Sequence, residues 1–151
     1  MDILSSALVL HVIIGLVGII ASYAVLMGLL KRAPSLAFLK YTSFTAFASY
    51  MLSWLIGGYY YVIYYGAAVK PTIKEGAYPW AHTLLMESKE HIFLFLPFLS
   101  FIIFLVIALL GREILEKRDL KNSLAALAGV VVAIGTFIAL AGIVISGAAG
   151  Q

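Results

Sequence analysis

Four apolar runs, each long enough to cross a lipid bilayer, constrain this chain more than anything else in it. They extend from about Ile3 to Leu30, Tyr41 to Tyr65, Pro79 to Leu110 and Ser123 to Ile145. A helix rises about 1.5 Å per residue, so about 20 apolar residues bridge a hydrocarbon core of about 30 Å. In lipid a helix satisfies its own backbone hydrogen bonds, and four segments are too few to close a β-barrel. The expected fold is all-α: an integral membrane four-helix bundle with four transmembrane helices, forming one domain over residues 1–151. Only 11% of the residues are charged, against about 25% in a soluble domain. Such a chain cannot cover a water-facing surface. It is expected to be a multi-pass protein of the cell membrane, with the lipid bilayer as its first partner.

The few charges set the orientation. Lys31, Arg32 and Lys40 lie in the first connection, and Arg112, Lys117, Arg118 and Lys121 in the third. The second connection holds Lys70 and Lys74, with Lys89 following inside the next helix. Positive residues concentrate on the cytoplasmic side. Connections one and three are therefore expected inside, and both termini on the outer side. The net charge of +3 reads as this orientation signal, with no nucleic-acid partner implied. The N-terminal run has no positive leader and is too long for a signal-peptide core, so it is read as a span. Tyr59, Tyr60, Tyr61, Tyr64 and Tyr65 form an aromatic belt at the outer end of the second span. Pro97 is expected to kink the third helix within the bilayer. The third connection is expected to continue that helix for a turn or two. There are no cysteines, which excludes disulfides, thiolate metal sites, iron–sulfur clusters and thioether-linked haem.

The stretch "HTLLMESKEH", His82 to His91, gathers titratable chemistry at the mouth of an apolar run. Ionisable groups at membrane depth default to a functional role. His11 lies 21 residues before Arg32, and His91 lies 21 residues before Arg112. Both helices run inward, so both histidines are expected at one level near the outer edge of the hydrocarbon. At about 100° per residue, His11, Gly15, Gly18 and Ser22 line one stripe. A histidine above glycines offers a nitrogen ligand and a groove for a flat molecule. Helix two offers Ala46, Ser49, Ser53 and Gly57. Helix four brings Gly142 to the histidine level. Glu87 lies one turn above His91 on the same face. His82 points about 180° away from His91 and is expected as a surface or loop-packing residue. Its second role would be as a ligand beside Glu90.

Three functions follow from this placement. In the first, one haem b sits between His11 and His91, with Gly15, Gly18 and Gly142 making room, and carries electrons near the outer face. Glu87 would then hydrogen-bond a ligating imidazole, and a quinol or a redox protein would be the partner. In the second, His11, His91 and Glu87, completed by His82 or Glu90, hold a bare divalent metal ion; zinc, copper and iron suit nitrogen and oxygen ligands. In the third, the chain carries no cofactor and is a subunit of a homo- or hetero-oligomer, its small-residue stripes packing against partner helices. No nucleophile elbow, phosphate loop or zinc-protease helix marks a catalytic residue.

Overall fold

The computed structural model describes residues 3–150. The chain is all-α and forms four helical rods. The first is α1, Ile3–Leu30. The second begins as α2, Leu36–Tyr60, widens into a π-helix over Tyr61–Val69 and ends as α3, Lys70–Glu75. The third opens with a second π-helix, Ala81–Met86, and continues as α4, Glu87–Phe93, and α5, Phe95–Glu116. The fourth is α6, Arg118–Ala149.

Each rod packs on two neighbours in a closed ring, α1 on α2, α2 on α5, α5 on α6 and α6 on α1. This leaves α1 and α5 across the diagonal. The connections are short. Ser35 caps α2 by accepting a hydrogen bond from the Phe38 amide, and a single residue, Lys117, turns the chain from α5 into α6. The third helix continues beyond Leu110 to Glu116, the turn or two expected of the third connection.

Three stretches are long and apolar enough to cross a membrane: Ile3–Leu30, Ala81–Glu116 and Arg118–Ala149. Their apolar surface faces outward. In the most apolar part of α1 only 6% of the residues are buried, and Ile20, Leu109 and Ile143 are each about two-thirds exposed or more. In water such a surface would aggregate. In lipid it is the ordinary exterior. The α2 rod is more polar because it carries Lys40 and a series of hydroxyls. Thr42 donates to the Phe38 carbonyl at 2.7 Å and Thr45 to the Tyr41 carbonyl at 2.9 Å. These hydroxyls are satisfied within their own helix.

The interior is built on Tyr50. It is 1% exposed, and Ser22 donates to its hydroxyl at 3.3 Å. A Cβ on Gly18 would stand 2.9 Å from the Tyr50 ring, and one on Gly135 would stand 2.9 Å from its hydroxyl. One aromatic side chain of α2 therefore fills the glycine-made hollows of both α1 and α6.

The third rod is interrupted at Leu94. Pro97 has no amide hydrogen for a carbonyl four residues back, at Phe93, so the expected distortion falls one residue after that unpaired carbonyl. A second departure, at Leu110 with φ −109° and ψ 20°, carries no proline signal. It precedes Gly111, whose missing side chain makes room for the Leu36 methyls.

Candidate functional site

The predicted stripe His11–Gly15–Gly18–Ser22 exists, and it faces α2. A Cβ on Gly15 would lie 3.2 Å from the Ser53 hydroxyl. The His11 ring lies flat against Gly57, where a Cβ would come within 2.5 Å of Nδ1. His11 Nδ1–H donates to the Ser53 carbonyl at 2.8 Å, which assigns the proton to Nδ1. The Ser53 hydroxyl donates to the His11 carbonyl at 3.0 Å and lies 3.0 Å from Nδ1. The stripe that was to receive a flat ligand is filled by Ser53, Tyr50 and Gly57 of the neighbouring helix.

Ser53→Ala is expected to lower stability by about 1 kcal/mol, the usual net worth of one such hydrogen bond. Thermal unfolding in detergent measures it.

His91 does not meet His11. Its side chain is exposed, and its Nδ1–H donates to the Glu87 carbonyl at 2.7 Å. The positions that α4 turns toward His11 are Phe93, whose ring centroid lies 6.3 Å from that of His11, and Lys89, whose charge acts on it. Lys89 also reaches α6, with its Nζ 3.5 Å from where a Gly142 Cβ would be. His91 lies two residues from each of these, about 200° round the helix, and so points out. His11 does lie beside the helix that carries His91, but His91 faces away from it. The residues do not fit a haem between His11 and His91. The space that Gly15, Gly18 and Gly142 were to leave is occupied by Ser53, Tyr50 and Lys89, and the two rings have no common cavity.

The inward-facing histidine of the third rod is His82. It is 1% exposed, which rules out the surface placement among the two expected, surface or loop packing. Its Nδ1 lies 3.0 Å from the hydroxyl of Tyr65, itself 3% exposed, with the two rings tilted 5.9 Å apart. Ile73, Ala81 and Ile145 complete the apolar cluster around the pair. The two partners come from the two π-helices. A π-helix bonds i to i+5 and turns by roughly 80° per residue, less than an α-helix. Through such a turn Glu90 swings back toward the His82 face, where α-helical counting placed it well off to the side. π-helical segments are rare and recur at functional sites. Here they supply a histidine and a tyrosine to one buried contact.

Two buried polar atoms in this region have no partner, His82 Nε2 and Glu90 Oε1. Tyr61 approaches the Glu90 carboxylate, and the charges of Glu87, Glu90, Lys70 and Lys74 all act on the His82 ring. Buried polar atoms without partners are uncommon and call for an explanation. Among the described residues, no three His, Asp or Glu side chains gather into a group that could enclose a metal alone. Glu87 is exposed, and His11 and His91 stand apart. The candidate residues are thus His82 and Glu90, each with one unpartnered buried atom and a neighbouring tyrosine, Tyr65 at His82 and Tyr61 at Glu90.

No family model, curated protein or solved structure matches the chain, so its function rests on the chemistry of this site.

Proposed function

We propose that the chain crosses the cell membrane four times, with both termini on the outer side, and binds one divalent transition-metal ion at its outer end. The two unpartnered atoms, His82 Nε2 and Glu90 Oε1, carry this reading. An imidazole nitrogen and a carboxylate oxygen, with no sulfur, suit zinc, copper or iron. Tyr65 holds the His82 ring at Nδ1, and by accepting from Nδ1–H its hydroxyl would leave the Nε2 lone pair free for a metal. Two protein ligands leave positions for water or an incoming molecule. A bare ion also needs far less room than a porphyrin, in a bundle whose hollows are filled by side chains.

The packing of α2 supports four crossings. It lies between α1 and α5 and contacts both, which favours a path alongside them. Its threonines bond within the helix, which removes the main obstacle to lipid exposure. Lys31, Arg32, Lys40, Arg112, Lys117, Arg118 and Lys121 gather at the other end, which the positive-inside bias puts in the cytoplasm. Copper or iron at the outer end would exchange electrons with a quinol or redox protein arriving from that side, whereas zinc would serve structure or sensing.

Elemental analysis and an absorbance spectrum of purified protein, with and without dithionite, test the assignment. About one equivalent of zinc, copper or iron without porphyrin absorbance is the expected result. A sharp Soret band that shifts on reduction would overturn it in favour of haem b. Metal-free protein that takes up no added ion would overturn it in favour of a cofactor-free subunit.

A further inference from the structure

At the opposite end of the bundle, α2 and α5 enclose an open groove of about 300 Å³ lined by Leu36, Lys40 and residues 108–113. The groove lies where α5 leaves the helical path at Leu110 and where Leu36 packs over Gly111. It contains three charged side chains, Lys40, Arg112 and Glu113. Glu113 is taken up by an ion pair with Lys117, which also raises the Lys117 pKa and keeps that ammonium charged. Among the described residues Lys40 and Arg112 have no ion-pair partner. The groove therefore presents two unneutralised cations. Beside them lies an apolar shelf of Leu36, Ala108, Leu109 and Leu110, with Leu109 73% exposed.

The geometry points to a binding site for the headgroup of an anionic phospholipid. A phosphodiester placed between Lys40 and Arg112 would receive a point charge from one and a planar, two-pronged donor from the other. Its acyl chains would then run along Leu109 and the lipid-facing side of α5. Apolar and cationic surfaces adjoining at the helix ends match a phospholipid. A free phosphate would leave the leucine shelf unused. Basic pockets between helices on the cytoplasmic side are a recurrent mode of anionic headgroup recognition. The site is remote from His82 and Glu90 and makes no use of bound metal.

The test is native mass spectrometry of the full chain released from detergent containing equal amounts of phosphatidylglycerol and phosphatidylcholine. The expected result is retention of one phosphatidylglycerol, with the preference falling about tenfold or more in Lys40→Ala/Arg112→Ala. Lys74→Ala, a charge loss at the other end, should leave the preference intact. Equal retention of both lipids by the natural chain would overturn the proposal. So would an equal fall in Lys74→Ala, which would mark general charge attraction. Displacement of the lipid by millimolar inorganic phosphate would overturn the lipid assignment and leave a simple anion site. An unchanged thermal unfolding midpoint in the double variant would show that its bundle still folds.

Discussion

Purified His82→Ala is expected to contain no more than background metal, while His11→Ala and His91→Ala retain the content of the natural chain. The contrast is the largest effect proposed here, and it separates the two candidate placements of a cofactor. A haem held by His11 and His91 predicts the reverse pattern. On the proposed reading His82 Nε2 is one of two protein ligands, and its loss leaves a single carboxylate. Glu90→Gln should act in the same direction, because an amide oxygen keeps the shape but loses the charge that a divalent ion requires. Tyr65→Phe is the finer probe. It preserves the ring packing against His82 and removes only the hydroxyl at 3.0 Å. Loss of such a supporting contact typically weakens metal affinity about 10- to 100-fold. Affinities from competition with a chelator would show it, with the protein still folded. If Tyr65→Phe binds as the natural chain does while His82→Ala does not fold, the hydroxyl has no part in metal binding.

The second large effect concerns Tyr50. Tyr50→Ala should destabilise the bundle by up to about 3–5 kcal/mol, the range for removing a large buried aromatic. Transfer from lipid to a protein core gains little, so most of this is lost packing. Tyr50→Phe should lose only about 1 kcal/mol, with the Ser22 hydrogen bond. Gly18→Val approaches the same contact from the other side. Its branched side chain would be driven into the body of the Tyr50 ring, and overpacking of this kind typically costs about 1–3 kcal/mol. Unfolding in mixed micelles would rank the three variants. A Tyr50→Ala protein as stable as the natural chain would show that α1, α2 and α6 do not depend on this residue.

Much of the architecture was legible from the sequence. Helix α1 has the expected limits, and the stripe His11–Gly15–Gly18–Ser22 does share one face. The small residues of helix two, Ala46, Ser49, Ser53 and Gly57, face inward as their spacing indicates. What pattern could not supply was the identity of the neighbour. A glycine marks a close approach, but Tyr50 and Ser53 fill these hollows as well as a ligand would. The histidines failed for a related reason. Counting residues from the charged helix ends gives relative height, and counting at about 100° per residue fixes angles within one helix. Neither fixes which face of the third helix turns inward. His82 and His91 were placed on opposite faces, and the choice between the faces fell on the wrong one. A clue lay in the phase of the residues beyond. His82, Met86, Phe93, Pro97 and Ser100 follow one another on the inner side of the rod. The π-helices left no signal, because a wider turn alters hydrogen bonding without demanding particular residues.

The reversal at Lys117 has a mechanical consequence. With one residue between them, α5 and α6 are tied at that end, and rotation about that point is the simplest relative motion left to them. α5 is 22 residues long, a lever of about 33 Å at about 1.5 Å per residue. An opening of about five degrees at the pivot would then carry the far tip of α5 by about 3 Å. The joint works like the hinge of a pair of tongs: small angular play at Lys117 becomes a larger excursion beside α4 and the π-turn that precedes it.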